Sequence, residues 1–142
     1  MKTTAMTTID HAPQVVHEWV NELSHELTLM ESGRALRLLR VTLHTLRDIL
    51  PVAEAVDMSA QLPVLLRGVF FEGWNPSAVP ADWQNKADFV ARVQEEFSNE
   101  PFEKPEKAIS AVFALLRRRM SSGEIEQVIH ATRKPLQSLW ED

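Results

Sequence analysis

The sequence predicts an all-α protein: a helical bundle of two tandem, pseudo-twofold-related four-helix repeats. Three observations predict it. Apolar residues recur at three- and four-residue steps through nearly the whole chain, the period of a helix that buries one face. Prolines and glycines punctuate these runs, standing where one ends and the next begins. The chain also matches itself without a gap at an offset of 70 residues, Val20 falling on Val90 and Leu66 on Leu136.

The elements follow in order. Residues 1–12 are threonine-rich and aperiodic and read as a flexible N-terminal tail. Pro13 opens the first helix, because a proline at the first turn forfeits only an N–H that would be unpaired anyway. Val15, Val16, Trp19, Val20, Leu23 and Leu27 form its apolar face, with Glu18, Glu22 and Glu26 opposite. Ser32-Gly33 caps a second helix that runs to Leu50 on Leu36, Leu39, Leu43 and Leu46. Pro51 stops that helix and opens a third through Ala55, Val56 and Met58. Pro63 opens a fourth, the most apolar run of the chain, which Gly73 breaks. Asn75-Pro76-Ser77 supplies the turn of a linker at about 75–82.

The pattern then restarts. Phe89, Val90, Val93 and Phe97 line a fifth helix, and Pro105 opens a sixth with Ile109, Val112, Phe113, Leu116 and Met120. Ser121 with Glu124 fits a capping box before a seventh helix, and Leu136, Leu139 and Trp140 finish a short eighth. At the 70-residue offset Arg47 falls on Arg117 and Glu54 on Glu124, and the apolar positions match in every helix. The repeats so defined span about 13–74 and 83–142. Their apolar faces are too wide to leave in water, which predicts one packed domain over 13–142.

Composition bounds the class. Of 142 residues, 44% are hydrophobic and 25% charged, a globular profile. There is no cysteine, hence no disulfide and no thiolate chemistry. No secretory pattern or run of eighteen apolar residues occurs, which favours a cytoplasmic protein without a membrane span. A net charge of −5 weighs against a general nucleic-acid binder.

The segments Val16-His17-Glu18-Trp19-Val20, Leu62-Pro63 through Gly73-Trp74, and Pro135 to Trp140 resemble the bacterial family called domain of unknown function 2267. Thr132-Arg133 stands where that family commonly repeats Leu-Pro. The resemblance implies a helical protein with no established activity.

The candidate chemistry is sparse. Arg34, Arg37, Arg40, His44 and Arg47 fall within an arc of about 140° at about 100° per residue, one basic stripe. It is the candidate anion- or partner-binding site, with a solvated helix face as the alternative. Arg37 and His44 within it resemble the Arg…His spacing of helical HEPN-type RNases, but Leu38 stands where those enzymes place a polar residue. His17 and His25 lie about 12 Å apart along their helix, too far to share an ion. Arg67, inside the apolar run, is expected to pair with Glu54 or Asp57. Trp74 and Trp83 flank the linker, either clamping it to the bundle or forming an interaction hot spot. No phosphate loop, nucleophile elbow or metalloprotease helix occurs. The expectation is therefore a non-enzymatic interaction or regulatory module with no cofactor, metal or catalytic residue. Its partner would be a protein; monomer and homodimer both stay open. The alternatives are an anion- or nucleic-acid-binding protein using Arg34–Arg47 and a helical RNase using Arg37 and His44.

Overall fold

The computed structural model describes residues 4–141, and over these the chain is all-helical, with eight α-helices and no strand. They are α1 (Thr4–Glu26), α2 (Ser32–Ile49), α3 (Val52–Ser59), α4 (Val64–Phe71), α5 (Lys86–Glu95), α6 (Pro105–Arg119), α7 (Ser122–Ala131) and α8 (Lys134–Gln137). A 3₁₀ turn at Pro76–Ala78 lies in the linker and another, Ser138–Trp140, extends α8.

Local chemistry sets most boundaries. Pro51, Pro63 and Pro105 stand at helix starts, the first two as N-caps. Gly73, at φ +68°, turns the chain out of α4 in the left-handed region that suits glycine. Asn75 and Asn85 accept from the Ser77 and Asp88 N–H groups, capping the linker turn and α5.

Three local expectations are corrected. Helix α1 begins at Thr4, so the described part of the expected tail, residues 4–12, is helical and Pro13 lies inside the helix; Met1–Thr3 lie outside the described residues. The carbonyl that loses its donor to Pro13 belongs to Ile9, an exposed residue, so the helix continues without burying an unpaired group. Glu31 caps α2 in place of Ser32, its carboxylate accepting from the N–H groups of Gly33 and Arg34. Half of the capping box forms: Ser121 Oγ accepts from Glu124 N–H, but the Ser121 N–H goes to Gln61 Oε1 instead of Glu124.

One cluster of buried side chains runs through all eight helices. Helix α2 is its axis, packed against α1, α4, α5 and α6. Contacts of α1 with α6, α2 with α5 and α3 with α7 cross between the two parts of the chain and interlock them. In the second part Phe113 stacks on Trp140 at 4.2 Å and meets Phe89 edge-on at 5.8 Å. Because α2 is surrounded, Leu38, Thr42, Thr45 and Arg47 are buried along with its leucine face, whereas Leu36, expected inside, is partly exposed.

Several bonds recur at the 70-residue offset. Arg47 donates to the Phe70 carbonyl and Arg117 to that of Trp140. Arg67 donates to the carbonyls of Ser59 and Leu62, and Gln137 to those of Ile129 and Thr132.

Candidate functional site

The basic stripe lies along α2, and its side chains are divided between the ends of two other helices. Helix C-termini leave carbonyls without intrahelical donors and attract positive charge. At the end of α4, His44 Nε2 meets the Val69 carbonyl at 2.6 Å, so that nitrogen carries the proton and donates. Arg47 Nη1 donates to the carbonyls of Phe70 (2.9 Å) and Glu72 (2.6 Å), while its Nε bonds Asp48 Oδ1 at 2.9 Å. Arg40 Nε donates to the Glu72 carboxylate at 3.0 Å.

Beyond the end of α5, Arg37 donates to the Glu96 carbonyl at 2.7 Å and Arg34 to that of Glu100 at 2.8 Å. Both guanidiniums stack on Phe97, and Arg34 also on Phe102 at 4.2 Å. Arg37 and His44 thus serve different helix ends. His44 is partly buried, and that burial pushes its pKa below the usual 6.5, against the raising effect of the Val69 bond and helped by the charges of Arg47 and Arg40.

The remaining sequence candidates lie elsewhere. Arg67 pairs with no carboxylate among the described residues; it donates to the carbonyls of Ser59, Ala60 and Leu62, correcting the expected pairing with Glu54 or Asp57. The reason is proximity: the α3–α4 turn places three carbonyls beside it, and that of Ser59 accepts the Leu62 N–H as well. Trp74 packs against Phe71 at 5.0 Å, and Trp83 lies beneath the Arg92 guanidinium at 4.1 Å. Both rings are partly buried. Asp48, Asn75, Trp83 and Arg92 help line a depression of about 240 Å³ where the linker meets α2 and α5. Among the described residues, no group of three His, Asp or Glu could hold a metal ion, and no helix is long and apolar enough to cross a membrane.

Two features escaped the sequence reading. Val52, Val56, Val64 and Leu65, on α3 and α4, are 41–50% exposed. Val64 also edges a groove of about 370 Å³ floored by Ala12, Val15 and Trp19 of α1 and rimmed by Gln61 and Arg119. By sequence they belong to the apolar runs of the third and fourth helices, which says nothing of their exposure. The second feature is a carboxyl pair, Glu54 with Glu124, joining α3 to α7. The 70-residue offset that places Glu54 on Glu124 was the signal that could have found it.

A family model for an uncharacterised conserved protein, domain of unknown function 2267, matches residues 16–139, from α1 to the turn after α8. The chain belongs to this family. No curated protein matches it. Membership in domain of unknown function 2267 brings the helical chain a lineage and no reaction, so the functional reading rests on the geometry above.

Proposed function

We propose that this chain is a non-enzymatic interaction or regulatory module that receives another protein on the apolar surface of α3 and the start of α4. The observation that supports this most is the contrast between its two surfaces. The cations that could serve chemistry are already engaged, by carbonyls at and beyond helix ends and by the Glu72 carboxylate. Four large apolar side chains within fourteen residues are left in water beside a groove. An apolar patch of that kind on a folded domain is a usual mark of a protein contact. A cytoplasmic setting fits a chain without cysteine.

Photo-crosslinking tests the reading. A crosslinker at Val56 or Leu65, introduced in cells of the source, should give a discrete protein adduct or a self-adduct that a label at exposed Glu95 does not give. Equal labelling at all three positions refutes it. The sequence's other readings meet separate tests. Binding of RNA or DNA at low salt, weakening steeply as salt rises, would favour the Arg34–Arg47 stripe as an anion surface. RNA cleavage lost in His44→Ala would favour an RNase; nothing in the geometry asks for either.

A further inference from the structure

Helices α3 and α7 meet through a pair of acids. Glu54 is the third residue of α3 and Glu124 the third of α7, and the two helices pack together. The two carboxyl groups lie close enough for each to act on the other's charge and for a proton to bridge them. Oε1 of each is shut off from solvent and accepts from no N–H or O–H donor among the described residues. A carboxylate only accepts, so two of them bond only when one carries a proton.

Among the described residues, no cation bonds either acid. From α3, Asp57 adds a second negative charge to the field at Glu124. From the α3–α4 turn, Gln61 directs its oxygen to the Ser121 N–H. Arg67 of α4 is engaged by three carbonyls. On α6, which also packs against α7, Arg117 bonds the Trp140 carbonyl, and Arg118 and Arg119 bond Glu22. The field at Glu124 comes from burial, Glu54 and Asp57, all of which favour its protonated form.

We infer that Glu54 and Glu124 share one proton and thereby form a pH-sensitive latch between the two parts of the chain, closed by the proton and loosened by its loss. The proton lies between the two acids, so the latch belongs to neither alone. Burial first, then the neighbouring carboxylates, hold Glu124 above its usual 4.5. A group raised in the folded state contributes its full stability below about pH 4.5 and loses it as pH rises through the higher folded value.

The sign of one substitution decides the matter. Acids in the first turn of a helix normally complement its positive end, so replacing one by glutamine ordinarily lowers stability at neutral pH. Here Glu124→Gln removes a charge conflict and supplies an N–H donor to Glu54, and should raise the melting temperature at about pH 7.5. The gain should vanish near pH 4.5, where the wild-type pair holds its proton, and Glu54→Gln should behave alike. A loss at neutral pH, no change, or an offset constant with pH overturns the latch. Carbon-13 titration of the wild-type glutamates needs no variant. One carboxyl titrating above 4.5 supports the shared proton, and all titrating at or below that value overturn it.

Discussion

Replacing Arg47 by alanine should be among the most damaging single changes outside the apolar core. The side chain is 4% exposed and makes three bonds, two to carbonyls at the end of α4 and one to Asp48. Hydrogen bonds to a charged donor contribute about 1.5–3 kcal/mol each, and stranding the partners of a buried ion costs about 3–5 kcal/mol. Asp48 is a third exposed and recovers much of its hydration, so its share is small. The two carbonyls set the magnitude, about 3–5 kcal/mol. At about 3 °C per kcal/mol for a domain of this size, the melting temperature should fall by roughly 10–15 °C in calorimetry. Arg117→Ala is the internal control. It removes a bond to the Trp140 carbonyl from an exposed position and should cost about 1 kcal/mol. Equal effects of the two substitutions, or an Arg47→Ala loss under about 1 kcal/mol, would refute the view that burial of α2 sets the strength of this clamp.

Three smaller changes probe other features. Thr42 is wholly buried, its hydroxyl without a partner, so isosteric Thr42→Val should raise stability by about 1 kcal/mol in urea unfolding. Leu29 holds φ +60° and is 70% exposed; Leu29→Asn should gain roughly 0.5–1 kcal/mol by relieving left-handed strain without losing a core contact. His44, depressed by burial, contributes stability that is complete above pH 6.5 and lost as pH falls through its lower folded value. Its ring should therefore titrate below 6.5 by NMR, and His44→Gln should flatten the acid side of the stability profile.

Helix α2 shows how far periodicity reaches. Its leucines mark a helix and one core face correctly, because a side chain every three or four residues is all that a one-sided contact requires. That logic failed where α2 is enclosed by four neighbours: it left Arg47 in a solvated stripe and set Leu36 inside. At α3 and α4 apolar composition did not mean burial. Val52, Val56, Val64 and Leu65 are apolar by sequence but stand at the edge of the bundle, where no neighbour covers them fully. The basic stripe was legible as a line of cations; its carbonyl acceptors were not, since backbone partners 23–66 residues away carry no side-chain signature.

The sequence by itself determined the helical class, the helix starts at Pro51, Pro63 and Pro105, and most of the core. Each depends on local torsional preference or on the period of one helix, and both are written in neighbouring residues. Only the tertiary structure decided which charges are consumed and which surface is left open. Arg67 and Arg47 found carbonyls, Glu54 found Glu124, and four apolar residues found water, because partners are chosen by three-dimensional proximity and burial rather than by residue type.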